Sequence, residues 1–127
     1  MKLLYTLKIV IVTVIITYIP LSAIAQTINW QNTIGGTNDD KLWRASPTPD
    51  GGTFCVGFSK SGIGGDKTEN VIGVGFMDYW VMKLDASGNL EWQNTIGGSK
   101  DDFCLDGHPT ADGGYILAGH SMSNISG

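Results

Sequence analysis

Basic side chains are scarce in this sequence. Lys and Arg total 8 against 12 Asp and Glu, which gives a net charge of −4 and a pI near 4.8. Nucleic acid and anionic bilayers are bound through cationic patches, so both partner classes are excluded. Cysteine is nearly absent, with 2 in 127 residues, and a disulfide-dense scaffold is excluded with it. Histidine is as rare: His108 and His120 stand 12 residues apart, with no cysteine or acid at zinc-ligand spacing. No G-x-S-x-G elbow is present to present a nucleophilic serine. Charged residues make up only 16% of the chain and hydrophobic ones 42%, the balance of a folded domain. A length of 127 residues leaves room for one small domain at most.

Long apolar runs are also lacking, with one exception. Residues 9–19 (IVIVTVIITYI) form an 11-residue run, about half of the roughly 20 residues a spanning helix needs. Lys2 and Lys8 precede the run, Pro20 follows it, and Ala23-Ile24-Ala25 offers a small-residue cleavage site. These are the three regions of a secretory signal peptide. The expectation is cleavage after Ala25, export to the extracellular space or cell surface, and no membrane span in what remains. No cysteine follows the site to accept a lipid.

What dominates the rest is a repeat. Residues 28–61 and 90–123 align without a gap at an offset of 62, with 17 of 34 positions identical. Self-similarity at a fixed period is the mark of a repeat architecture. The repeats divide the chain into a signal peptide (1–25), a first β repeat (26–89) and a second, shorter one (90–127). The unit reads as β. Asp50-Gly51-Gly52 and Asp112-Gly113-Gly114 each stand between β-prone runs, and such tripeptides supply the positive φ of tight hairpin turns. Residues 79–84 alternate, with Trp80, Met82 and Leu84 on one face. Four strands are expected per repeat, at about 28–34, 42–48, 53–59 and 79–84, with 60–77 as an inserted loop. Without that 18-residue loop the 62-residue period shrinks to 44, the size of a β-propeller blade. The expected fold is therefore all-β: four-stranded antiparallel meanders of a partial propeller-like array. A β-sandwich of short strands accounts for the strands but not for the gapless repeat.

The strings Asp78-Tyr-Trp-Val-Met-Lys-Leu-Asp85, Gly88-Asn89-Leu90-Glu91-Trp92-Gln93, Gly97-Gly98 and Asp112-Gly-Gly-Tyr-Ile-Leu-Ala-Gly119 resemble tandem repeats of large secreted proteins of Bacteroidetes-type bacteria. The resemblance implies propeller-like blades and an association with type IX secretion sorting domains and carbohydrate-active enzymes. It implies a non-catalytic binding or scaffold segment, with an accessory part of an endoglucanase-like secreted enzyme as the alternative. Gly127 aligns with Gly65, inside the loop, so the chain is expected to be a fragment of a longer protein or one that self-associates to cover open edges.

Candidate site residues are few. Calcium prefers clustered hard oxygens on loops, and Asp66, Glu69 and Asn70 are the best such group. Asp39-Asp40, Asp101-Asp102, Asp50 and Asp112 recur between repeats but lack the alternating spacing of a calcium loop. The two glutamates, Glu69 and Glu91, are the candidates for a glycosidase carboxyl pair, which must span a cleft of about 5–9.5 Å. Trp30 and Trp92 recur at one repeat position and read as packing residues, as do Trp43 and Trp80. Tyr79, opposite Trp80 on its strand, is the expected exposed aromatic and the candidate for stacking on a glycan. Cys55 and Cys104 each replace a leucine of the other repeat. They read as buried apolar side chains, and an exported protein also permits a bond between them. The partners expected are further blades of the same protein or another copy, with glycans as candidate ligands.

Overall fold

A computed structural model describes residues 27–124, and the expected signal peptide lies outside them. Six strands follow in order: β1 (Asp40–Pro47), β2 (Thr53–Ser59), β3 (Asp78–Leu84), β4 (Leu90–Ile96), β5 (Asp102–Pro109) and β6 (Tyr115–Ser121). The fold is all-β and antiparallel. Strands β1 to β4 form one meander sheet and β5–β6 a separate hairpin, and neither sheet closes on itself. No helix among the described residues is long and apolar enough to cross a membrane.

Both Asp-Gly-Gly tripeptides are hairpin tips. Gly51 and Gly113 each take a φ of 85°, open to glycine without a Cβ penalty. Thr48 N–H donates to Gly52 O at one tip and Thr110 N–H to Gly114 O at the other. The two hairpins share their register and their bulge, which falls between Leu42 and Arg44 in β1 and between Cys104 and Asp106 in β5. Opposite each bulge stands a glycine, Gly57 or Gly119, where a Cβ would strike the partner backbone at Lys41 O or Phe103 O.

The two faces of β2 and β3 are both apolar, for different reasons. Phe54, Val56 and Val81 cluster with Cys104 of β5, with Tyr79 and Leu117 at the margin. This is the seam between the two sheets. Cys55, Trp80, Met82 and Leu84 form a second cluster on the opposite face, flanked by Ile34 and Leu90. Burial of apolar area on both faces is the main term holding the sheet together.

Three expectations need correction. Residues 28–34 are not a strand. No strand equivalent to β3 precedes them among the described residues, so they have no ladder to join. They cross the outer sheet face instead: Ile34 packs on the second cluster, and Asn32 Nδ2 donates to Gly88 O at 3.1 Å. The fourth strand of the sheet is their counterpart β4, so the sheets divide at residues 97–101. Trp43 is not core: it is the bulged residue of β1 and is 58% exposed. Tyr79 is not the outstanding exposed aromatic, because the β5–β6 hairpin covers its face of β3 and leaves it half-buried.

Candidate functional site

The recurrent aspartates serve the backbone. At the tips, Asp50 Oδ1 accepts from Thr48 Oγ1 at 2.5 Å and Gly52 N–H at 3.0 Å. Asp112 Oδ1 accepts from Thr110 Oγ1 at 2.5 Å and Gly114 N–H at 3.2 Å. The threonine hydroxyl is the main cause holding each carboxyl below the usual range. Asp50 also pairs through Oδ2 with Lys83 Nζ at 2.9 Å. Lys83 is buried and reaches Glu91 Oε2 at 2.8 Å as well. These bonds, Glu91 first and then Asp50, raise its pKa above the ordinary lysine value.

The loop candidates Asp66, Glu69 and Asn70 are spread over three backbone donors. Asp66 Oδ2 accepts from Gly35 N–H at 3.0 Å, Glu69 Oε2 from Thr95 N–H at 2.5 Å and Asn70 Oδ1 from Ile63 N–H at 3.0 Å. The first two tie the 60–77 loop to neighbouring segments, and the third holds the loop to itself. No group of three or more His, Cys, Asp and Glu side chains converges among the described residues. Glu69 and Glu91 hold opposite ends of β4. Glu69 is held by Thr95 N–H and Glu91 by Lys83 Nζ, so each carboxylate is bound to its own partner in the fold.

A second set of carboxylates lies where strands begin. Asp40 Oδ2 accepts from Gly36 N–H at 2.6 Å, and Oδ1 accepts from Ser59 Oγ at 2.5 Å and Ser61 Oγ at 2.9 Å. Its counterpart Asp102 accepts from Gly98 N–H at 2.7 Å and Ser123 Oγ at 2.9 Å, both through Oδ2. The pair of clamps fastens each Gly-Gly segment to the end of its hairpin. Sequence reasoning missed this role, although its signal was there: Gly36, Asp40, Ser59 and Ser61 are all unchanged 62 residues on.

The second clamp carries an extra carboxyl. Asp78, fully buried, accepts from Ile72 N–H at 2.5 Å through Oδ2. A Cβ built on Gly97 would strike Asp78 Oδ1 and stand 2.8 Å from Asp102 Oδ2, so the two carboxylates flank the same glycine. Among the described residues, Oδ1 of each has no hydrogen-bond partner. Desolvation, with the charge of Asp102 beside it, pushes Asp78 above the usual carboxylate range. At Asp102 burial works the same way, but the hydroxyls of Ser121 and Ser123 and the N–H of Gly98 outweigh it and hold that group low. Of the two, Asp78 therefore holds its proton more readily and Asp102 gives its up more readily. Lys67, buried with its ammonium on Thr95 Oγ1 and 5.5 Å from the Trp80 ring, supplies a nearby positive charge.

One cluster has the residue types of a catalytic triad. His108 Nδ1 lies 3.5 Å from Ser46 Oγ, and its Nε2 lies 3.3 Å from Asp106 Oδ1. The hydroxyl proton of Ser46 goes to Gly107 O at 3.0 Å instead of the imidazole, and Ser46 is buried. Arg44 Nε takes the same Asp106 oxygen at 3.0 Å. An activated serine needs its proton directed at the base and its oxygen open to substrate. Ser46 meets neither condition, and the cluster is a polar seam between β1 and β5. His120 stacks on Phe103, centroids 4.9 Å apart. Cys55 and Cys104 are both free and buried, one in each apolar cluster on opposite faces of the sheet, and burial raises both thiol pKa values.

The outer face of the four-stranded sheet is partly covered: Ile34 packs over the buried Cys55, Trp80 and Met82, while Leu42 and Ala45 of β1 stay exposed. A cavity of about 420 Å³ lies there, lined by Trp30, Ile34, Leu42, Cys55, Trp80 and Met82 among others. Leu42 on its rim is 64% exposed. A second recess of about 470 Å³, lined by Tyr79, Gly97 and Asp102 among others, opens at the strand ends. No family model, curated protein or solved structure matches the chain.

Proposed function

We propose that this chain is a non-catalytic, exported β-repeat segment that serves as a binding or scaffold surface, built from propeller-type blades stacked face on face. One observation carries the reading. The β5–β6 hairpin lies on the β1–β4 sheet so that residues 62 positions apart meet: Arg44 pairs with Asp106, and Ser46 touches His108. Like units stacked in like orientation are how blades and other repeats build a continuous core. The resemblance to secreted Bacteroidetes-type repeats supports the same reading, as does the leader sequence. Under it, shared residues specify turns and clamps, while the differing residues and the 60–77 loop specify partners.

The test is made on the exported protein. It is purified from culture medium and from the cell surface, its N-terminus is read by mass spectrometry, and it is assayed against a polysaccharide panel for retention and for release of reducing ends. The expected result is an N-terminus at Gln26, with no release of reducing ends. Release that disappears in Glu91→Gln or Asp78→Asn would overturn the reading in favour of an enzyme. Intact Met1 in the cytoplasm would overturn the export part.

A further inference from the structure

We infer that the exposed β1 side of the outer sheet face docks the outer face of the β5–β6 hairpin of a second copy of this chain, head to tail. The inference rests on the stacked-blade reading and names the partner of its free face. The internal seam is the template. There, the sheet receives through Phe54 and Val56, and the hairpin inserts Cys104, Gly107, Tyr115 and Leu117. The counterparts of those four inserting residues, 62 positions earlier, are Leu42, Ala45, Thr53 and Cys55, and all four line the open cavity. The counterparts of the receiving pair are Ile116 and Ala118, and both are exposed on the hairpin's outer side. Among the described residues, the inserting positions Leu42 and Ala45 are exposed at one end, with Cys55 beneath Ile34, and the receiving positions are exposed at the other. Two faces of opposite kind make a heterologous contact, not a two-fold one.

Volume and charge fit the same pairing. At the seam, a Cβ on Gly107 would stand 2.6 Å from Val56 Cγ1, so the glycine makes room for the valine. In the docked pair those positions hold Ala45 and Ala118: the inserting side gains a methyl where the receiving side loses two. The Arg44–Asp106 pair has 47% and 44% of its side-chain surface still exposed, which leaves room for Arg44 of one copy to reach Asp106 of the other. One contact is poorer. Phe58 meets Phe103 edge-on at 4.7 Å in the seam, but the docked counterparts are His120 and Lys41. Association is therefore weaker than the internal seam and concentration-dependent.

Sedimentation of the exported chain over a range of concentrations tests this, with two variants at exposed positions, Leu42→Asp in the inserting face and Ile116→Asp in the receiving face. The wild type is expected to grow in mass beyond a dimer, and each variant alone to stay monomeric. An equimolar mixture of the two variants is expected to form a species of two chains and stop, because each keeps the face the other has lost. A wild type that remains monomeric overturns the inference. So does association that both variants retain, or a mixture that stays monomeric. An oligosaccharide that quenches tryptophan fluorescence while the wild type stays monomeric would assign the face to a glycan and overturn it as well. Gly107→Val separates this failure from failure of the underlying reading. It is expected to lower the melting temperature of the Leu42→Asp monomer, because it obstructs only the internal seam. If it lowers the melting temperature while docking fails, stacking stands and the second-copy partner falls. If it leaves the melting temperature unchanged, stacking itself falls.

Discussion

Replacing Asp78 by asparagine is expected to stabilise the protein at neutral pH. The side chain is fully buried, one of its oxygens has no donor among the described residues, and Asp102 flanks the same glycine. Asparagine keeps an acceptor for Ile72 N–H and offers an amide donor toward the second carboxylate in place of a competing charge. Removing an unmet buried polar demand is worth about 1–3 kcal/mol, or about 4–8 °C of melting temperature per kcal/mol in a domain of this size. The pH dependence has a definite sign. The folded-state pKa of Asp78 lies above its ordinary 3.8, so the native protein binds this proton more tightly than the unfolded chain does. Its contribution is full below about pH 4 and is lost as the pH rises through the raised value. The advantage of Asp78→Asn over wild type, read from urea melts between pH 4 and pH 8, should therefore be largest at the alkaline end and shrink on acidification. Asp50, Asp85 and Asp112 work in the opposite sense, since each is held low by side-chain and backbone donors and stabilises less as the pH falls through its folded value. They are common to both proteins and cancel in the difference. A variant less stable than wild type at pH 7 would refute the reasoning. If calcium also raised the wild-type melting temperature and not the variant's, the unmatched oxygens would be cation ligands.

Three further outcomes are expected. Gly113→Val should destabilise by about 1–3 kcal/mol in urea melts, with Gly113→Asn milder, because the site has open space around it and only its φ of 85° is at issue. Lys83→Met should lower the melting temperature at neutral pH and remove an alkaline loss of stability, since a lysine raised above its ordinary 10.5 stabilises fully below that value and fails as the pH rises through the folded one. Cys55 and Cys104 should resist a thiol reagent in the native protein, both react in denaturant, and leave the melting temperature unchanged by reductant, because both are free and buried.

The hairpins were legible because their information is local. Asp-Gly-Gly between β-prone runs specifies a tip, and the tip sets the register of both flanking strands. Strand β3 was equally clear from its alternation. What misled was long-range. Residues 28–34 share most of their sequence with β4 yet form no ladder, because a strand exists only where another strand is beside it. Trp43 looked like core from its apolar counterpart Leu105, but both occupy the unpaired position of a bulge, which rotates the side chain away from the alternation. Tyr79 looked exposed until a hairpin from the next repeat covered it. The clamp residues Asp40 and Asp102 were visible as recurrent acids, and only their distance in sequence from Ser61 and Ser123 hid what they hold.

The differences between the two repeats are not independent of one another, and this bears on how the surface evolved its contacts. Cross-strand neighbours Lys41 and Phe58 place an ammonium 5.8 Å from a ring, while their counterparts Phe103 and His120 reverse the order, ring first and imidazole second. Arg44 and Asp106 occupy one repeat position with opposite charge and pair with each other. Had both positions carried arginine, stacking would bring like charges together, a cost in place of a gain. Gly107 faces Val56, and their counterparts, Ala45 in the first repeat and Ala118 in the second, are both alanine. In each case a change on one member is matched by a change on the member it touches. Many of the unchanged residues meanwhile sit at tips, at the glycines opposite the bulges and at the clamps, where geometry allows few alternatives. A surface of this kind holds its fold with one set of residues and tunes which unit lies against which with another. Partner choice then resides in the pairs that differ, and substituting one member of such a pair should cost more than substituting both.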